Sequence, residues 1–179
     1  HMDEPTAGPG LFPQYMVAHR AAKDVKVVLG GQGGDEIFGG YTRYLIAYFE
    51  QAIKGSIYES NDEGEHIVSL KSILPNLPVV KQYVPLLKKF WEKGVFEPMD
   101  KRYFQLINRT SGKHTCLTTD FQNHFNLEDV FLEFQKVFQH PNTTSYFNKM
   151  VNFNLITNLH SLLHVEDRFS MAVSLESRV

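Results

Sequence analysis

The sequence is nearly without cysteine: Cys116 is the only one. An internal disulfide is therefore impossible, and a cysteine-rich zinc site is excluded. A reducing, cytoplasmic setting fits that usage. His114 lies two residues from Cys116, but nothing marks the thiol as a low-pKa nucleophile, so it reads as an ordinary side chain. An excess of charge is missing too, with 18 Lys and Arg against 20 Asp and Glu. Without a basic stripe there is no electrostatic footprint for nucleic acid. No apolar run approaches the roughly 20 residues that a membrane helix needs. No secretory signal is visible, and His1-Met2 reads as a tag remnant outside the fold. Tryptophan occurs once, yet Phe occurs 14 times and aromatics reach 13%. That supply builds a core for a chain of 179 residues, the length of one ordinary domain.

The punctuation of the chain predicts mostly helices. Asp3 to Pro13 is rich in Pro and Gly and reads as irregular, and Phe12 to Asp24 turns helical, with Tyr15, Met16, His19 and Ala22 on one face. Lys26-Val27-Val28-Leu29 is a short β-branched run bounded by glycine, which reads as a buried strand. A helix over 41–54 should end near Gly55, and a polar stretch over 56–65 reads as loop. Further helices are expected over 66–73, 79–93, 99–109, 127–139 and 144–163, with a last short one over 167–175. The expected fold is mainly α with one short parallel-type strand. A lone strand makes no stable sheet, so either the domain is mainly helical with one odd extended segment covered by a helix or loop, or the strand's neighbours lie outside this chain or in a second copy, which leaves a homodimer as a possible assembly.

Six of the twelve glycines fall in the eleven residues Gly30-Gly31-Gln32-Gly33-Gly34-Asp35-Glu36-Ile37-Phe38-Gly39-Gly40. Glycines admit positive φ and let backbone N–H groups approach an anion, and successive N–H groups form a concave anion site. Asp35 and Glu36 could hold Mg²⁺, which takes one or two carboxylates together with phosphate oxygens. The loop follows a strand, where ligands bind in open α/β sheets. It matches neither the Walker A pattern, whose Lys it lacks, nor the glycine spacing of the dinucleotide fingerprint. Glycines alone would equally suit a tight packing turn; the adjoining acids favour function.

Val27-Val28-Leu29 through Tyr41 resembles the V-V-L-S-G-E-G-G-D-E-L-F-G-G-Y segment of the asparagine synthetases. Asp3-Glu4-Pro5, followed by Gly8-Pro9, is similar to the D-E-P stretch preceding that segment. Leu162-Leu163 and Glu166-Asp167-Arg168-Phe169-Ser170-Met171-Ala172-Val173-Ser174-Leu175-Glu176-Ser177-Arg178-Val179 resemble the family's L-L…E-D-R-x-S-M-A-x-S-L-E-x-R-V-P signature. The three blocks stand in family order from position 3 to 179, and residues 56–140 carry no family motif.

That resemblance implies a fragment, residues 3–179, of an α/β adenine nucleotide alpha hydrolase-like synthetase domain, cut from a longer protein. The parent would be a cytoplasmic, glutamine-hydrolysing ligase of asparagine biosynthesis. It would adenylate aspartate with ATP, release pyrophosphate, and let glutamine-derived ammonia attack the acyl-adenylate. The resemblance places Gly30, Gly31, Gly33, Gly34 and Glu36 beside the nucleotide and pyrophosphate and Asp35 on Mg²⁺. Gln32 and Arg168 are the catalytic positions it implies. Two residues depart from the pattern: Gly30 stands for the family's Ser, and Gln32 for a Glu thought to assist ammonia attack. A neutral amide exchanges hydrogen bonds but cannot take a proton at ordinary pH. The ATP-binding S-G-G-x-D-S loop and the glutaminase cysteine are not in this sequence, so the chain by itself is expected to be inactive. The alternatives are an amidotransferase paralogue or β-lactam-synthetase-like enzyme acting on another carboxylate, and a non-catalytic helical interaction module.

Other features have plainer readings. Glu166-Asp167-Arg168 could be a helix start whose acids suit the dipole, although Arg168 could equally meet a phosphate or carboxylate. Met171 and Leu175, at i,i+4 spacing, are core candidates, as are Phe147, Met150, Val151, Phe153 and Leu155. His160 and His164 have the spacing of two metal ligands but lack the glutamate of the H-E-x-x-H motif, and no metal is expected there.

Overall fold

The computed structural model describes residues 1–2, 8–59, 71, 74–108 and 117–179. Asp3-Glu4-Pro5, the expected helix over 66–73 apart from residue 71, Cys116 and His114 lie outside the described residues. The chain forms two compact units, residues 1–40 with 154–179 and residues 41–153.

In the first unit, α1 (Leu11–Ala21) precedes β1 (Val27–Leu29) and the short α2 (Gly34–Phe38). The chain re-enters this unit at Asn154, the last residue of α8 (Tyr146–Asn154). A π-helical turn over Leu155–Leu159, then α9 (His160–Ala172) and β2 (Glu176–Arg178) complete it. Tyr15 of α1 meets Phe169 of α9 edge to face, with ring centroids 5.8 Å apart.

β1 has its partner within the chain, contrary to the sequence-based expectation. It pairs in parallel with β2, in the register Val27 with Glu176, Val28 with Ser177 and Leu29 with Arg178. The Glu176 N–H donates to the Lys26 carbonyl at 2.9 Å, and the Gly30 N–H donates to Arg178 O at 2.6 Å. The helix expected over 167–175 stops at Ala172, and the chain turns at Val173-Ser174 into this strand. Glu-Ser-Arg has neither β-branched nor apolar character, so no local propensity announces it; the ladder with β1 creates it. β1 is not buried either, since Leu29 is 84% exposed.

The second unit is helical: α3 (Thr42–Tyr58), a 3-10 segment (Leu74–Tyr83), α4 (Val84–Trp91), α5 (Met99–Ile107), α6 (Thr119–His124), α7 (Leu127–Phe138) and most of α8. α3 continues through Gly55, which is buried, and Ser56 Oγ donates back to Ala52 O at 2.9 Å. The helix expected over 79–93 is instead 3-10 as far as Tyr83, with Pro78 inside it, and α-helical from Val84, with proline in its first turn. Proline suits a helix start but not its interior. α7 begins on Asn126, whose side chain accepts from the Glu128 N–H at 3.0 Å.

Tyr44, Tyr48, Met99, Tyr103, Phe134, Phe138 and Met150 form the core of this unit. Tyr103 stacks on Phe138 with centroids 5.5 Å apart, and Phe134 packs on Phe153 at 4.9 Å. Inside the unit lies a fully buried ion pair. Arg102 Nε and Nη2 donate to Glu50 Oε1 and Oε2 at 2.6 and 2.5 Å. Arg102 Nη2 also reaches Phe90 O at 2.7 Å, and Nη1 reaches Lys93 O at 2.6 Å and Gln105 Oε1 at 2.8 Å. No helix among the described residues is long and apolar enough to cross a membrane.

Candidate functional site

The glycine-rich segment follows β1 directly. Gly30 continues the ladder through its bond to Arg178 O, and Gly34 N–H closes back on Gly31 O at 3.3 Å. Between them Gly33 turns with φ 88° and caps α2. An L side chain at that φ is strained, so glycine is needed for the turn. The Gly31, Gln32 and Gly33 N–H groups have no acceptor among the described residues. Successive backbone donors without internal partners are the kind of group that can receive an oxyanion.

The two acids of the loop part company. Asp35 is exposed, whereas Glu36 is 1% exposed and accepts from Asn158 Nδ2 at 3.3 Å. Asn158 belongs to the π-helical turn, and the next residue, Leu159, lies against Gly33. A π turn is often found at functional sites, and here it brings a side-chain donor to a buried carboxylate. Asp35 is shaped from the other side by Gly40. A Cβ on Gly40 would land on Asp35 Oδ1 and lie 3.3 Å from Asp35 Cα, so Asp35 keeps its rotamer only while position 40 is glycine. The Gly40 N–H donates to Asp35 O at 2.9 Å.

Gly30 has a similar explanation. A Cβ there would sit 2.7 Å from Glu166 Oε1. Glu166, on α9, accepts from the Ser177 hydroxyl of β2. Glycine at 30 and serine at 177 thus seat a carboxylate against the strand end where the loop begins. The sequence signals for Glu166 were its place in the E-D-R triplet and the Gly-for-Ser departure at position 30. Gly40 was marked by the glycine-rich run it closes, whereas Asn158 carried no signal of this kind.

Arg168 is half-buried on α9, where it keeps interactions of its own. Gln32 is half-exposed in the loop. The structure therefore gathers Gly30, Gly31, Gln32, Gly33, Gly34 and Asp35 in one loop, with Glu36 behind it and Glu166 at its start. His160 is exposed and His164 half-buried on α9. Leu175 is buried and Met171 exposed, so only the first is core.

Among the described residues no group of three or more His, Cys, Asp or Glu side chains converges as a metal cage. The donor set present is one exposed carboxylate beside free N–H groups. That set fits Mg²⁺ arriving with phosphate oxygens, because Mg²⁺ keeps water and takes few protein ligands.

The family model described as asparagine synthase matches residues 1–179. Asparagine synthetase (glutamine-hydrolysing) 1 of Bacillus subtilis (strain 168) is 30% identical over 181 residues, covering 100% of this chain and 26% of that protein. A Mycobacterium tuberculosis protein (strain ATCC 25618 / H37Rv), provisionally named a glutamine-hydrolysing asparagine synthetase, is 59% identical over 44 residues, 25% of this chain and 7% of its own length. A Methanocaldococcus jannaschii protein with a similar provisional name is 52% identical over 46 residues, 26% of this chain and 9% of its own. The chain thus spans about a quarter of the length of that Bacillus subtilis relative. No solved structure matches it.

Proposed function

The chain belongs to the asparagine synthase family, and on that premise we propose that it is part of the synthetase domain of an ATP-dependent amide ligase. In this reading the parent domain has the α/β adenine nucleotide alpha hydrolase-like fold, and the parallel β1–β2 pair is a piece of its sheet. The ligase activates the aspartate side-chain carboxyl as an acyl-adenylate, releases pyrophosphate and passes glutamine-derived ammonia to the activated carbon. The S-G-G-x-D-S loop, which this sequence does not contain, is the other half of the nucleotide site.

The residues divide the work by chemistry. The Gly31, Gln32 and Gly33 N–H groups receive phosphate oxygens, and Gly30 and Gly34 keep the backbone close enough for that contact. Asp35 holds Mg²⁺, which supplies charge neutralisation for the phosphates when bound. Glu36 supports the loop from behind through Asn158. Gln32 orients the attacking ammonia by hydrogen bonding and leaves proton removal to another base or water. Arg168 offers a guanidinium to a phosphate or carboxylate. The departure at Gln32 also supports a second reading, in which the acceptor is a carboxylate other than aspartate; a substrate screen on the full-length protein distinguishes the two.

The observation that carries the proposal is Asp35, exposed beside three N–H groups with no acceptor among the described residues, its carboxylate occupying space that a side chain at Gly40 would take. In the full-length protein Asp35→Asn is expected to cut ligase turnover well over tenfold, a barrier increase above about 1.4 kcal/mol, with glutamine hydrolysis retained. Ligase turnover near wild type in that variant removes the metal role.

A further inference from the structure

A second candidate binding site lies wholly within residues 41–153 and shares no residue with the glycine-rich loop. It is a cleft of about 820 Å³ between the start of α3, the helix α4 and the end of α5. That volume lies within the range of small-molecule pockets, roughly 300–1,000 Å³. Phe90, which is buried, and Leu106 give it an apolar floor, and the Tyr41 ring forms one side.

The charges around the floor are unbalanced. Among the described residues Arg43, Lys89 and Lys93 line the cleft against a single acid, Glu92. The Arg43 guanidinium lies over the Tyr41 ring, 3.6 Å from its centroid, so cation and aromatic face already form one unit. Neither Lys89 nor Lys93 forms an ion pair among the described residues.

The cleft is also pre-shaped. Arg102 donates to the carbonyls of Phe90 and Lys93 while locked onto Glu50, which fixes the backbone that carries the floor and one cation. The same guanidinium takes the carboxamide oxygen of Gln105, another lining residue. Restraining the lining beforehand lowers the ordering cost of binding.

We propose that this cleft binds a small aryl anion, a planar apolar ring bearing a phosphate or carboxylate, with the ring on Phe90 and Leu106 and the anion among Arg43, Lys89 and Lys93. Two features together select this class. An apolar floor gives a simple inorganic ion nothing to bury, and three cations disfavour a neutral or positive ligand. This site goes beyond the ligase reading and stands whether or not that reading holds.

The chain reports on the cleft itself, because its one tryptophan, Trp91, lies between Phe90 and Glu92 and stacks on Phe49 with centroids 6.1 Å apart. Phenyl phosphate and benzoate, titrated into the 179-residue chain, test the two head groups. Inorganic phosphate and phenol test each half of the ligand alone. At least one aryl anion is expected to change Trp91 fluorescence saturably, with a midpoint below about 1 mM, and each half alone should bind at least about tenfold more weakly. The pair Lys89→Glu and Lys93→Glu should weaken the aryl anion by about tenfold or more, whereas Lys101→Glu, an exposed change outside the lining, should leave it within about twofold. Raising salt from about 50 to 500 mM should weaken binding to the unmodified chain, a readout that needs no variant. The proposal is overturned by no saturable signal for either aryl anion up to about 10 mM. Inorganic phosphate binding as tightly as phenyl phosphate, or equal affinity in the Lys89/Lys93 variant, overturns it as well.

Discussion

The two units of the chain spend their residues differently. The unit of residues 41–153 buries large aromatics and pairs its inner charges, as with the Tyr103–Phe138 stack and the Glu50–Arg102 clasp. The unit of residues 1–40 and 154–179 buries mainly small or polar side chains, among them Ala18, Glu36, Asn154 and Ser170. It leaves Leu29 and Phe38 more than 80% exposed. Apart from Tyr41, the described residues of the family-like motifs lie in this unit. Stability is written in bulk and shape, which many sequences satisfy, while the candidate chemistry rests on a few exacting positions, such as Gly33 with its φ of 88° and Gly40 against Asp35.

The sharpest break in that comparison is at the clasp. Arg102→Ala leaves the Glu50 carboxylate buried and uncompensated, and removing one partner of a buried pair typically costs about 3–5 kcal/mol. It also takes the donors away from two carbonyls and from Gln105. Chemical denaturation should show that loss directly. Replacing both partners together, with Arg102→Met and Glu50→Leu, should cost less than Arg102→Ala alone; an equal or larger cost would mean that the pair itself is strongly stabilising.

The opposite pattern is expected at Gly40. Gly40→Ala drives a methyl into Asp35 Oδ1 and forces that carboxylate to another rotamer. The clash is with the end of an exposed side chain, so the fold should lose little. Ligase turnover of the full-length protein should nevertheless drop by about tenfold or more. A parallel fall in thermal stability would show that Gly40 serves packing rather than the placement of Asp35.

Much of this contrast could be read from the residues, and the part that could not has a common cause. β1 was visible because Val27-Val28-Leu29 is β-branched and glycine-bounded, and α5 and α7 because their apolar spacing and caps are local. β2 was invisible because Glu176-Ser177-Arg178 is a strand only through residues about 150 positions earlier. Gly55 misled as a helix stop because its burial, not its propensity, decides there. In the site, the glycines and Asp35 stood out by density and adjacency. The inward turn of Glu36 depends on Asn158, and Glu166's seat depends on Gly30 and Ser177. Such non-local contacts leave no periodic trace.

A smaller effect tests the apolar exposure of the first unit. Contiguous apolar surface marks an association face, and the chain is expected to self-associate in light scattering. Leu29→Lys places a charge on the exposed strand, a device that blocks edge pairing, and should lower the association. A clean monomer before any substitution would show that the exposure carries no attraction.

The smallest expected effect belongs to the aromatic unit. Burial lowers the Lys149 ammonium from its ordinary value of 10.5, while the Asp100 carboxylate raises it in part. Lys149 Nζ donates to Gln139 Oε1 at 3.0 Å, and Gln139 Nε2 donates in turn to Asp100 Oδ2 at 3.3 Å. Because the charged form is disfavoured in the fold, the unfolded chain binds the proton more tightly. Between the lowered value and 10.5 the unfolded state therefore carries more protons, and stability rises with pH through that window. Below it the folded chain bears the full cost of a partly desolvated ammonium. Lys149→Met removes the titration, so unfolding free energies at about pH 8 and about pH 11 should converge on, or move past, the variant as pH rises. The comparison is read as a slope, which cancels the constant loss of the Gln139 contact. A wild-type stability that falls relative to Lys149→Met across that window would mean that Asp100 outweighs burial, and that this half-buried amine is held by its charge partner after all.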